Sequence, residues 1–220
     1  MSKIKITMPA VLFDLDGVIS DSIAYAVRGV RNVCRQSGIS EITQEQFVQT
    51  FHAPYLEKYR ALGVTASREQ INEWYQAEAK HEEAPMFSDV IEMLEHLKQH
   101  LAVVGMVTAQ HKDVAQCICD SYGISQHFKF WAGNAQDKVP AIRQFREDYW
   151  YIPDEKFCFV GDFPSDMRDA KRAGVRGIGL TRGHPTRDVL LAAGAEVCIE
   201  HLTELPAVTC CREIVAAPPF

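Results

Sequence analysis

Apolar and polar residues follow three regimes along this chain. Residues 10–13, Ala-Val-Leu-Phe, form a short apolar run that ends in Asp14-Leu15-Asp16-Gly17. A run of this length closed by a turn residue predicts a strand buried on both faces of a parallel sheet. From Ser22 to about Glu83 the apolar spacing is helical: Ile23, Val27, Val30 and Cys34, then Phe47, Val48 and Phe51, then Ile71, Trp74 and Tyr75. Ser37-Gly38, Gly63 and Ser67 punctuate this block, and Ser67 followed by Gln70 predicts a capping box opening a helix. From about Pro85 helix and strand alternate. Strands are predicted at Leu101 to Val107, Phe128 to Trp131, Phe157 to Val160, Arg176 to Leu180 and Glu196 to Ile199. Helices are predicted around Val90 to Leu97, Val114 to Tyr122, Pro140 to Glu147, Asp166 to Ala173 and Arg187 to Ala193. Gly123 closes the second of these, where a left-handed residue ends a helix.

That alternation predicts an α/β domain, a doubly wound parallel sheet with helices on both faces. The first strand belongs to the same sheet. The helical block is therefore an insert: residues 1–20 and 85–220 make the α/β core, and residues 21–84 an all-helical unit.

Composition narrows the function. The chain has 220 residues, 47% hydrophobic and 24% charged, as in ordinary globular proteins. A formal net charge of −6 offers no surface for nucleic acid and no polybasic membrane anchor. A small phosphorylated substrate stays compatible, because local charge decides its binding. The seven cysteines are scattered, with neither a CxxC pair nor zinc-like Cys/His spacing. Cys158 reads as a small core residue of a strand. The first eight residues lack the apolar stretch of a signal peptide, and no run approaches the ~20 apolar residues of a membrane span. The expectation is a cytoplasmic protein with reduced thiols.

Chemistry gathers at the strand ends. Asp14 and Asp16 follow the first strand, Thr108 ends the strand at Val107, and Lys138 precedes a helix. Asp162 and Asp166, in Gly161-Asp162-Phe163-Pro164-Ser165-Asp166, follow the strand ending at Val160. In a parallel sheet these ends converge on one edge, where open α/β folds place ligands. Clustered acids repel one another, so a hard cation with oxygen ligands, Mg²⁺ above all, is their natural occupant. Beside it the Thr108 hydroxyl, Lys138 and loop N–H groups would hold a phosphoryl group. A carboxylate in line with phosphorus can act as nucleophile, and a second one two residues on can move the proton.

With these four motifs in this order, the chain resembles the haloacid dehalogenase superfamily of hydrolases, in the branch of phosphoglycolate phosphatase and β-phosphoglucomutase. The motifs are Asp14-Leu15-Asp16-Gly17-Val18, Thr108, Lys138 and the Gly161 to Asp166 segment. The resemblance implies a Rossmann-like core with a helical cap inserted between the first two motifs. It implies Asp14 as nucleophile, Asp16 as general acid/base that also offers its backbone carbonyl to the metal, and Asp14, Asp162 and Asp166 around Mg²⁺. Thr108 and Lys138 would bind the phosphoryl group. In these relatives the segment Phe51 to Tyr55 is a substrate-specificity loop, so His52, Tyr55 and Lys58 are candidate substrate contacts. Three positions depart from the pattern: Val139 separates Lys138 from Pro140, Ala109-Gln110 follows Thr108, and Ser88 replaces a hinge glycine.

The expected activity is Mg²⁺-dependent hydrolysis of a small phosphomonoester through an aspartyl-phosphate. Asp16 argues against dehalogenase or phosphonatase chemistry. A phosphomutase would use the same groups, and a binding protein could keep the fold without turnover. Simpler readings stand beside the sharp ones: Thr108 as a turn residue, Lys138 as a solvated lysine, Asp166 as a helix cap, His52 and Tyr55 as packing within the cap. Arg182-Gly183-His184 lies at the presumed active edge. The remaining histidines, His81 among them, read as surface or loop residues, and the charged run Ala77 to Glu83 as a solvated helix face.

Overall fold

The structure, a computed structural model, describes residues 9–50, 55–182 and 185–209. The chain enters through β1 (Ala10–Phe13), all four residues buried, and leaves the sheet at once for the helical insert. The insert comprises α1 (Ile23–Gln36), α2 (Gln44–Thr50), α3 (Tyr55–Ala61) and α4 (Arg68–Ala79), followed by a 3-10 turn at His81–Glu83. Its helices close around their own apolar cluster, in which Val27, Val30, Val33, Phe47, Tyr59 and Ile71 are buried. The capping box at the start of α4 is present: Gln70 N–H donates to Ser67 Oγ at 3.2 Å, and Ser67 N–H to Gln70 Oε1 at 3.1 Å. Helix α3 was not among the predicted helices; its first residue is Tyr55, which the family resemblance placed in a substrate-specificity loop.

The two segments joining insert and core run side by side. Asp21 N–H donates to Pro85 O at 2.8 Å, Phe87 N–H to Ile19 O at 3.1 Å, and Ser20 bridges Met86 antiparallel. Both ends of the insert thus leave the core at one place, beside Asp16.

The core continues with α5 (Val90–Gln99), β2 (Val103–Val107), α6 (Lys112–Ser121), β3 (Phe130–Ala132), α7 (Val139–Asp148) and β4 (Phe157–Gly161). It ends with α8 (Pro164–Ala173), β5 (Arg176–Leu180), α9 (Arg187–Ala193), β6 (Val197–Ile199) and α10 (Leu205–Thr209). Among the described residues all six strands are parallel, in the order β3-β2-β1-β4-β5-β6. Alternate residues of β1 serve opposite faces, as strand geometry requires. Val11 and Phe13 pack with α5 and α6 through Leu94, Leu97 and Ile118. Ala10 and Leu12 pack with α7 and α8 through Ile142, Phe145 and Ala170. This is the doubly wound sheet expected. One boundary differs: β2 begins at Val103, because Leu101 sits in a turn with φ of 55° and is 72% exposed.

Candidate active site

The site lies at the carboxyl edge of the central strands, where β1 and β4 end side by side. Asp14 N–H continues the pairing by donating to Val160 O at 3.0 Å. That fixes the start of the loop carrying Asp14 against the loop carrying Asp162. Asp14 Oδ1 accepts from Leu15 N–H at 2.8 Å, and Oδ2 from Lys138 Nζ at 2.6 Å. Lys138 Nζ also donates to Asp166 Oδ1 at 2.7 Å, and all three side chains are buried. Lys138 is therefore no solvated surface lysine. Its backbone N–H is held by Asp169 Oδ2 at 3.1 Å, just before α7 opens with Pro140 in its first turn. Asp166 is cap and site residue at once: its Oδ2 accepts from Phe163 N–H at 3.0 Å at the start of α8, while Oδ1 meets Lys138.

Asp14, Asp162 and Asp166 each offer an oxygen, all within 4.8 Å of one another. Three carboxylates face one ammonium, and the ionisation balance reflects it. Burial pushes Asp14 up to about 7, with the Asp166 and Asp16 charges adding to it and Lys138 opposing. Burial, then the charges of Asp166 and Asp14, hold Asp162 well above the ordinary carboxylate range. Burial would lower Lys138, but its two carboxylates outweigh that and raise it. Asp162 Oδ1 is buried with no hydrogen-bond partner among the described residues. An orphaned anionic oxygen in an acid cluster short of positive charge fits a hard cation. Position 17 accepts only glycine here: its φ is +75°, and a Cβ there would collide with Asp162 Oδ2.

Asp16 faces away from this triad. Its Oδ1 accepts from Ser22 Oγ at 2.6 Å and lies 3.1 Å from His81 Nδ1; its Oδ2 accepts from Gln110 Nε2 at 3.2 Å. Burial alone would raise Asp16, yet the His81 charge and the three hydrogen bonds bring it down to about 2. Its carboxylate is not part of the metal-type cluster, so a share in metal binding rests on its backbone carbonyl. Two of its partners were not predicted. His81 is 3% exposed and not the surface histidine expected; it turns inward as α4 ends and Lys80 turns left-handed at φ of 40°, while Lys80, Glu82 and Glu83 stay exposed. The available signal was its place in the returning linker, opposite Ser22 in the outgoing one. Gln110, noted only as a departure after Thr108, reaches across to the acid.

The other predicted residues fall in different places. Thr108 is buried at the end of β2, its Oγ1 accepting from Gln110 N–H at 3.2 Å, and it does not line the cavity that Ala109 and Gln110 line. Tyr55 does line it, whereas Lys58 does not. His52 and His184 lie outside the described residues. Arg182 stacks on Phe87, 3.9 Å from the ring centroid, and pairs with Asp89 at 2.6 Å, tying the end of β5 to the start of α5. The cavity over the acids measures about 200 Å³ and is lined on its other side by residues of the insert.

The family model for haloacid dehalogenase-like hydrolases matches residues 11–180, and the chain belongs to that family. It is similar to the phosphoglycolate phosphatase of Vibrio parahaemolyticus, 25% identical over 218 residues, covering 89% of this chain and 93% of that protein. The phosphoglycolate phosphatase of Pseudomonas fluorescens is 28% identical over 191 residues, covering 79% and 70%. Among solved structures, the haloacid dehalogenase-like protein SP0104 of Streptococcus pneumoniae superposes with a TM-score of 0.77 at 22% identity, over 92% of this chain and 98% of its own. No helix among the described residues is long and apolar enough to cross a membrane.

Proposed function

We propose that this chain is a Mg²⁺-dependent phosphatase that hydrolyses a small phosphomonoester through an aspartyl-phosphate on Asp14. The observation that carries the reading is the division of labour between the two aspartates. Asp14 sits in the acid cluster against Lys138, while Asp16, two residues on, is held apart by Ser22, His81 and Gln110. The relatives named as phosphoglycolate phosphatases support the same chemistry.

Asp14, Asp162 and Asp166 would hold the metal, with the Asp16 backbone carbonyl. Bound there, Mg²⁺ would neutralise phosphoryl charge. An Asp14 carboxylate oxygen attacks phosphorus, the bond from phosphorus to the ester oxygen breaks, and that oxygen takes, through Asp16, the proton held by the His81–Asp16 pair. Water then attacks the phosphorus of the acyl phosphate and gives a proton to Asp16. Asp14 is released as carboxylate, with inorganic phosphate as product. Lys138, which donates to Asp14, would also meet a phosphoryl oxygen.

The test is phosphate release from 4-nitrophenyl phosphate with Mg²⁺, compared with Asp14→Asn. Turnover that needs the metal and vanishes in the variant supports the reading; retained turnover in Asp14→Asn removes the nucleophile assignment.

A further inference from the structure

Building on that phosphatase reading, we propose that the substrate's leaving group is uncharged and carries an apolar body about the size of one ring, leaving the phosphoryl group as its only anion. The cavity of about 200 Å³ runs from the acids of the core into the helical insert. Val30, Phe47, Tyr59 and Ile71 line it from four different helices, and each also belongs to the insert's apolar cluster. Tyr55 and Tyr75 add two more aromatic rings. Besides Ser22, His81 and the tyrosine hydroxyls, the insert's polar lining is two carboxamides, Asn72 and Gln76, one turn apart on α4 and so on one face. Carboxamides donate and accept without charge, which suits a hydroxyl, an ether or a ring nitrogen.

The cation inventory decides the class. Among the described residues lining the cavity, the cationic side chains are Lys138 and, when protonated, His81. Lys138 is held between Asp14 and Asp166, and His81 between Asp16 and Tyr75. A carboxylate or second phosphate on the leaving group would enter an apolar space where the described residues offer it no counter-charge of its own, close to Asp16. Burying such a charge unpaired is unfavourable, while a ring gains from the same walls. The size agrees: an apolar cavity of roughly 150 Å³ takes a benzene ring.

The experiment uses the full chain with Mg²⁺ and two esters of primary alcohols, 2-phenylethyl phosphate and 2-phosphoglycolate, alongside pyrophosphate and 4-nitrophenyl phosphate. The expected kcat/KM for the phenylethyl ester exceeds those for phosphoglycolate and pyrophosphate by about 100-fold. Calorimetry without turnover should show 3-phenylpropylphosphonate binding at least about 10-fold tighter than 2-carboxyethylphosphonate. Gln76→Arg, or Asn72→Arg as a second placement, adds the missing cation at an exposed position and should shift the preference toward phosphoglycolate by about 10-fold. Hydrolysis of 4-nitrophenyl phosphate together with equal or better turnover of phosphoglycolate or pyrophosphate overturns the leaving-group proposal alone. Failure to release phosphate from any of the four compounds overturns the phosphatase reading, and this proposal with it.

Discussion

His81 Nδ1 lies 3.1 Å from Asp16 Oδ1, and the other ring nitrogen lies 2.7 Å from the Tyr75 hydroxyl. The imidazole thus links α4 of the insert to the acid of the core. Ser22, on the outgoing linker, holds the same carboxylate oxygen at 2.6 Å. Both linkers therefore grip Asp16, and its rotamer depends on the insert being docked. In that arrangement His81 is a positioning residue that acts through Asp16.

His81→Leu should lower kcat for an alkyl phosphate by about 10- to 100-fold, a part of what a general acid contributes. It should hardly slow the first-turnover release of 4-nitrophenol from 4-nitrophenyl phosphate, whose leaving group departs without a proton, whereas hydrolysis of the acyl phosphate, which also uses Asp16, is shared by both esters. His81→Gln, which keeps one N–H donor, should recover part of the loss. Single-turnover kinetics of leaving-group release on both esters checks this; equal losses in that step would point to general structural damage.

The same pair sets a pH dependence of stability in the metal-free protein. Asp16 falls from an ordinary 3.8 to about 2 on folding, so its contribution is present above 3.8 and lost as pH falls toward 2. His81 rises above its ordinary 6.5, because Asp16 outweighs the burial that would lower it. Its contribution is present below 6.5 and lost as pH rises through the folded value. Both are complete between about 3.8 and 6.5. The Tm gap between wild type and His81→Gln, measured in EDTA, should be widest there and narrower at pH 9. A gap that stays constant with pH would exclude the ion pair.

Most of the core was legible because each β-strand is an apolar run bounded by turn residues, and parallel pairing leaves few orders in which such runs can stack. Asp14, Lys138, Asp162 and Asp166 were legible for the same reason, since strand ends in a parallel sheet meet at one edge. His81 was not. Its neighbours Lys80, Glu82 and Glu83 are the composition of a solvated helix end, and nothing local announces that the chain turns inward between them. Helix α3 was hidden too, because Leu56 and Tyr59 are too few to set a helical period. The partner of Asp16 at Gln110 depends on a contact across 94 positions, which no local pattern carries.

Gly17→Ala should damage the site through two separable effects. At φ of +75° a side chain is strained by about 1–2 kcal/mol, and the new Cβ would collide with Asp162 Oδ2. Gly38 shares the conformation at φ of +69° but has nothing within 4 Å of its ideal Cβ. Gly38→Ala should therefore show the strain alone, a Tm loss of about 2–8 °C with activity intact. Gly17→Ala should lose more and no longer respond to Mg²⁺. Thermal melts with and without Mg²⁺, paired with phosphate release, distinguish the two; matching behaviour of the variants would mean that Asp162 tolerates the intrusion.

Asp162→Asn should make the metal-free protein more stable while removing its activity. Asp162 Oδ1 is buried without a partner, and its pKa stands well above the ordinary 3.8 through burial and the charges of Asp166 and Asp14. At pH 7 an unfolded Asp is ionised, so folding must either neutralise it or bury its charge, and both cost stability. A carboxamide removes that charge and brings N–H donors toward Asp14 and Asp166. A gain of about 1–2 kcal/mol corresponds to a Tm rise of about 2–8 °C in EDTA. Saturating Mg²⁺ should then reverse the order, raising the wild type strongly and the variant little, because binding stabilises only the form that holds the ion. Melts of both proteins in EDTA and in Mg²⁺ decide the matter. A variant less stable than wild type in EDTA would show that the Asp162 charge is already compensated within the folded chain.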